Sequence, residues 1–146
     1  MPGVPIRYTD QPITYAVSAI VTGGQLVDAD QSTSQTNATA TVTPSGAGSK
    51  ICVGAALRDA APAGTDSATD AAARPPNTTV ARSGCVVPVT FAAASHFGDL
   101  LKTAAAGTVT PWVDGTDDPD LIVAQNVDDG GYVAASAVGY ISLRVS

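Results

Sequence analysis

The tetrapeptide Thr-Val-Thr-Pro occurs twice in this chain, as Thr41-Val42-Thr43-Pro44 and as Thr108-Val109-Thr110-Pro111. The flanking segments repeat in the same order. Gly24-Gln25-Leu26-Val27 precedes the first copy and Gly98-Asp99-Leu100-Leu101 the second, while Ile51-Cys52-Val53-Gly54 and Leu121-Ile122-Val123-Ala124 follow them. A fourth match sets the stretch 84–89 against 139–145. Aligning its apolar faces, Val87 with Leu143, is preferred to aligning its glycines, because a slip of one residue turns every side chain of a strand to the other face. The matches predict an internal duplication over residues 23–91 and 97–145, of which the second copy is the cleaner.

The composition says what the repeated segments are made of. All thirteen acidic residues are Asp, and only two residues are Lys. Straight-chain charged helix formers are thus nearly missing. Val and Thr are abundant and suit a pleated surface, while Gly, Pro and Asp mark turns. At 146 residues the chain has room for one real core. The expectation is a mainly β fold: a small β-barrel or β-sandwich of short antiparallel strands, with an extended N-terminal arm at 1–13 and a single β domain at 14–146.

Read in order, the arm holds Pro2, Pro5 and Pro12 among Val4, Ile6, Arg7, Tyr8 and Ile13. Proline cannot donate to a ladder and disfavours helix. Such an arm either docks on a partner or neighbouring subunit, or is a frayed terminus or an edge strand of its own domain. Tyr15, Val17, Ala19 and Val21 alternate along a half-buried strand. Residues 28–39 are polar and read as a surface loop. Gly54, inside the strand 50–57, suggests a bulge or a close backbone approach. Residues 58–79 form the longest loop, with room for one helical turn at 68–73. Residues 80–91 read as one alternating strand, with Cys85, Val87, Val89 and Phe91 on one face, and Pro88 marks an edge or a bulge.

Reactive chemistry finds little support. His96 is the single histidine and reads as structural. No nucleophile elbow, dinucleotide fingerprint or phosphate loop is present. Cys52 and Cys85 read as buried small hydrophobes, with a disulfide open only if their strands are neighbours. Two cysteines and one histidine do not make a zinc site. Asp114, Asp117, Asp118 and Asp120 are dense enough to suggest calcium, but Gly115 and Pro119 among them favour a solvated turn. Trp112 beside them either caps the core or sits in an interface. No catalytic residue, cofactor or metal is expected. A net charge of −6 opposes direct binding to nucleic acid or anionic lipid. No run is long and apolar enough to span a membrane, and the N-terminus lacks the pattern of a signal peptide, so synthesis in a cytoplasm is expected.

Gly98-Asp99-Leu100, Gly107-Thr108-Val109, Leu121-Ile122-Val123-Ala124 with Asp129-Gly130, and Val138-Gly139-Tyr140-Ile141-Ser142-Leu143 together resemble the head decoration (capsid cement) proteins of tailed bacteriophages. The stretch 50–60 resembles a segment of the same group, and the likeness runs over about residues 20–145 as pattern. The resemblance implies a β protein on the outside of the virion that binds the major capsid protein and bridges capsomers. It also implies assembly as a homotrimer and attachment through the arm, at Pro2, Val4, Pro5, Ile6, Arg7, Tyr8 and Ile13. The loops at 28–39 and 58–79 depart from the compact pattern. Two other functions fit the composition: a tail or tail-tube protein, and a carbohydrate- or cell-surface-binding module with Trp112 and Tyr132 as its platform.

Overall fold

The computed structural model describes residues 12–31, 40–67 and 69–145. Their regular elements are twelve strands and two three-residue 3-10 turns. Five strands close into a barrel: β1 (Ile13–Val17), β2 (Leu26–Ala29), β3 (Thr41–Pro44), β4 (Cys52–Ala56) and β5 (Asn77–Ala81), in the spatial order β1-β3-β2-β4-β5. A second five-stranded sheet holds β6 (Val86–Thr90), β8 (Leu100–Thr103), β9 (Val109–Pro111), β10 (Ala124–Asn126) and β12 (Val138–Leu143), in the order β6-β12-β10-β8-β9. The short strands β7 (Ser95–His96) and β11 (Tyr132–Val133) pair with each other beside it. Among the described residues no helix is long and apolar enough to cross a membrane.

The two sheets share one plan. In the barrel the opening strand β1 runs parallel to β3, with Val17 opposite Val42, and antiparallel to β5. In the second sheet β6 is antiparallel to β12, and its next residue, Phe91, makes a parallel bridge to Val109 of β9. Antiparallel neighbours β2–β3 and β2–β4 correspond to β8–β9 and β8–β10. Three of the four sequence matches therefore reach equivalent places, with Val27 opposite Gly54 and Leu101 opposite Ala124, although of Leu121 to Ala124 only Ala124 lies on a strand. The fourth does not: β6 and β12 are direct neighbours, with Val87 opposite Ile141. The counterpart of β12 is β5.

That corrects the reading of 80–91 as a single strand. The chain leaves the barrel at Ala81, turns at Ser83-Gly84, and enters the second sheet as β6. Alternation continues across the turn, so periodicity could not mark the break. It does assign the faces of β6 correctly: Val87, Val89 and Phe91 are buried, while Val86, Pro88 and Thr90 are exposed. Pro88 lies on a strand at the end of its sheet, where a missing N–H is tolerated. The expectation of antiparallel strands needs one amendment, the parallel pair β1–β3.

Strands whose two faces are both buried join the units. Val27, Ala56 and Val80 point into the barrel with Val17, Val21, Val42 and Ala60. Their neighbours Leu26, Ala55 and Ala81 point the other way, into the cluster of Val89, Phe91, Leu101, Val109, Ile141 and Leu143. The period of two that sends alternate side chains to opposite faces thus fills two cores from three strands. Polar contacts follow the same seam: Gln25 Nε2 donates to Ala106 O, and the Gly107 N–H donates to Ser45 O.

Glycine is required at two points. Gly54 has φ +150°, and a Cβ there would lie 2.0 Å from Ala81 O. The register of β2 against β4 shifts at this place, between Val27 and Asp28, so Gly54 marks both a bulge and a close backbone approach. Gly107 has φ +73°, and a Cβ there would lie 2.8 Å from Gln25 Cβ and Leu26 O across the seam.

The stretch 58–76 is less of a loop than its composition suggests. Ala60 bridges Val21, and Ala60 and Ala61 are buried. Arg74 then closes the excursion with a two-pronged pair to Asp66, Nε and Nη2 each 2.9 Å from a carboxylate oxygen. The described residues near the expected helical turn form hydrogen-bonded turns instead.

Candidate binding surfaces

Most groups that the sequence offered for chemistry are engaged in holding the fold. The Lys102 ammonium lies 2.8 Å from Asp117, whose Oδ2 also accepts from the Val113 N–H. Lys50 Nζ donates to Asp118 Oδ2 at 3.0 Å, and the other carboxylate oxygen accepts from the Asp120 N–H. Both carboxyl groups are held below the usual carboxylate range, Asp117 chiefly by Lys102 and Asp118 chiefly by the Asp120 N–H. Among the described residues no group of three metal-ligating side chains converges. The aspartate-rich stretch is a turn tied down by two lysines.

Trp112 belongs to the same turn. Its indole Nε1 donates to Asp118 O at 2.9 Å, and its side chain is half-buried. His96 is exposed, and its ring lies 5.3 Å from that of Tyr132 in a tilted contact. The buried Ser95 hydroxyl beside it accepts from Asn126 Nδ2 and donates to Asp99. That network fixes the β7–β11 pair to the main sheet and leaves the imidazole outside it.

Cys52 and Cys85 form no disulfide, and both are half-buried and packed against the shared core. Burial pushes the Cys52 thiol up to about 11, which keeps it a protonated packing group. Asp28, the buried acid nearby, accepts from the hydroxyls of Ser45 and Ser49 at 2.6 and 2.7 Å.

What the molecule offers outward is apolar surface. On the outer face of the β6–β12 pair, Val86, Val138 and Tyr140 are each more than half exposed. Beside them runs an open groove of about 610 Å³, with Leu57, Arg58 and Asp59 on the barrel side and Pro88, Thr90 and Val138 on the other. Gly23 and Gly24 line its floor, and a Cβ on Gly24 would lie 3.3 Å from Pro88 O. Leu57 is 48% exposed on the rim. Phe97 and Tyr132 form a second apolar area at the β7–β11 pair. Alternation pointed to the outward residues of β6, but nothing in the sequence marked Leu57 or Val138 as sharing a groove, because they come from different units. Of the arm residues, Ile13 is the first residue of β1, paired with Val80. Pro2, Val4, Pro5, Ile6, Arg7 and Tyr8 lie outside the described residues.

The fold and these surfaces define a two-unit, mainly β protein that presents apolar faces. No family model matches the chain, and no curated protein does. A solved structure does: the N base of the head fiber gp8.5 of bacteriophage phi29, with a TM-score of 0.62 and 17% sequence identity, covering 93% of this chain and 95% of that one. At that identity the likeness is one of fold, over nearly the whole length of both chains.

Proposed function

We propose that this chain is a structural protein of a bacteriophage head, seated on the outer surface of the capsid, without enzymatic activity. The observation that carries the reading is the near-complete fold match to a head-fiber base. It agrees with the decoration-protein pattern of 98–143 and with a structure in which Asp66, Asp117 and Asp118 are paired with the chain's own Arg74, Lys102 and Lys50. An attachment protein needs area and complementarity rather than a reactive group, and an acidic surface keeps it soluble and away from packaged nucleic acid.

In this reading the partner is the major capsid protein, and the chain assembles as a homotrimer that bridges neighbouring capsomers. Three linked copies raise the effective concentration of each weak contact. The arm residues Pro2 to Tyr8 supply an extended apolar segment of the kind that adds to a partner's sheet edge, and Trp112 is left as an aromatic at the periphery of the contact. The test is sedimentation of purified chain with expanded heads prepared without it. Saturable co-sedimentation at a fixed number of copies per head is expected; a chain that stays in the supernatant at all ratios overturns the reading.

A further inference from the structure

We infer that the groove between the two units receives the β7–β11 ribbon of a second copy of this chain, and that this contact, repeated head to tail, joins the copies. This rests on the reading of the protein as a homotrimer.

Three observations converge on this occupant. The first is shape. The groove is concave, about 610 Å³, so a two-fold contact of groove on groove leaves it unfilled. A contact between two different patches is the kind that closes a ring, each copy giving one patch and receiving the other. The patch received must be apolar and stand open to solvent. Among the described residues the two most exposed large apolar side chains are Phe97 and Val138, each 64% exposed. Val138 lines the groove, with Leu57 on the opposite rim. Phe97 follows β7 directly, and Tyr132, also exposed, opens β11. Large aromatics of this kind are enriched at the centres of interfaces.

The second is rigidity on both sides. In the ribbon, the His96 N–H donates to Asp99 Oδ2 at 2.8 Å and the Phe97 N–H to Gly131 O at 2.9 Å. In the groove, the Gly23 N–H donates to Asp59 Oδ1 and the Gly24 N–H to Ala56 O, both at 2.8 Å. Surfaces already held in place lose little freedom when they meet.

The third is charge. A chain of net charge −6 repels its own copies, so contact is favoured where unlike charges meet. Arg58 stands exposed on the groove, and Asp129 stands exposed just before β11. Among the described residues neither side chain has an ion-pair partner within its own chain. Asp59, the acid beside Arg58, already accepts from Gly23. Three residues, about 10 Å of chain at most, separate Asp129 from Tyr132, so Asp129 falls at the groove rim when the ribbon is seated. There it pairs with Arg58 of the receiving copy.

The experiment measures the mass of the full chain in free solution by light scattering, and the parent is expected to give three chain masses. Leu57→Asp spoils the groove and Tyr132→Asp the ribbon, both at exposed positions. Each is expected to fall to one chain mass with an unchanged far-ultraviolet spectrum. An equimolar mixture of the two is expected to give two chain masses, because one intact ribbon finds one intact groove and the ring cannot close. Arg58→Asp and Asp129→Arg are each expected to raise the dissociation constant at least tenfold, and the double variant to recover most of that loss. A parent of one chain mass, single variants that keep three, a mixture that stays at one, or a double variant no tighter than the singles overturns the inference. No capsid takes part, so a trimer that survives these substitutions strikes this contact alone and leaves the homotrimer and head binding standing.

Discussion

Val42 and Val109 hold equivalent places in the two units. Each is the second residue of its Thr-Val-Thr-Pro tetrapeptide and is fully buried, and each has a parallel partner from the opening of its unit: Val17 of β1, and Phe91 just beyond β6. The parallel contact brings the first strand back beside the third and so closes the unit. In the barrel it is a ladder of two pairs; in the second sheet it is one bridge, beyond which the Ala92 N–H donates to Val109 O. The second unit therefore depends more on side-chain packing at its closing point, which accounts for the larger residue there.

Replacement of Phe91 by Ala is accordingly the most costly single core truncation. Phe91 is wholly buried and belongs to the cluster shared by both units. Removal of a buried Phe costs about 3–5 kcal/mol, and loss of each methyl group from a core aliphatic about 0.5–1.5 kcal/mol. Urea unfolding of Phe91→Ala is expected to show a much lower midpoint than Val17→Ala, with both variants keeping the slope of the parent.

A shared core also predicts that the units unfold together. Trp112, the single tryptophan, reports on the second unit alone, whereas far-ultraviolet dichroism reports on both. The two probes are expected to give coincident urea transitions, since Leu26, Ala55 and Ala81 are buried in the neighbouring unit's core. Separated midpoints would show that the seam contributes little.

Much of this architecture was legible because strand chemistry is local. The duplicated Thr-Val-Thr-Pro strands, the inward face of Val87, Val89 and Phe91, and the special role of Gly54 all follow from residue type and a period of two. The allocation of strands to sheets was not legible. Residues 80–91 keep their alternation through the turn at Ser83-Gly84, so one apparent strand serves two sheets. Burial on both faces of β2, β4 and β5 depends on the packing of the units, which periodicity does not encode. The groove was hidden for the same reason: Leu57 and Val138 are eighty-one positions apart.

Substitution at a constrained glycine and at an unconstrained one measures what the close approach at Gly54 demands. Gly54→Ala would place a methyl group on Ala81 O in addition to adopting an unfavourable φ. Strained backbone alone costs of order 1–3 kcal/mol, and the overlap adds to it, so this variant is expected to be largely insoluble. Gly46→Ala, where nothing lies within 4 Å and φ is ordinary, is expected to match the parent in thermal midpoint. Thermal melts of the soluble fractions make the comparison.

Acid should loosen the 58–76 excursion before the cores. Pairing with Arg74 through side-chain and backbone hydrogen bonds holds the Asp66 carboxyl far below its ordinary value. A depressed carboxyl contributes stability that is complete above its unfolded pKa, near 3.9 for Asp, and that is lost as pH falls through the folded value. Proteolysis between Ala61 and Arg74 is therefore expected to accelerate below about pH 4 while the far-ultraviolet spectrum is retained. In Asp66→Asn the same sites are expected to be cleaved quickly at neutral pH, with little further change in acid. Equal pH dependence in parent and variant would assign the effect elsewhere.

The two cysteines give a final test of the view that this molecule carries no reactive centre. The Cys52 thiol is raised to about 11, mainly by burial, and its Sγ lies 3.8 Å from Gly54 O. Only the thiolate is an effective nucleophile, so Cys52 is expected to react with a disulfide reagent at pH 8 at least a hundredfold more slowly than in the urea-unfolded chain. Mass spectrometry of timed samples assigns the label to Cys52 or to Cys85 separately. If Cys52 were labelled in the folded protein as fast as in the unfolded one, the thiol would be open to solvent and ionised. The packing of β4 against the second unit would then have to be more open than the shared core requires.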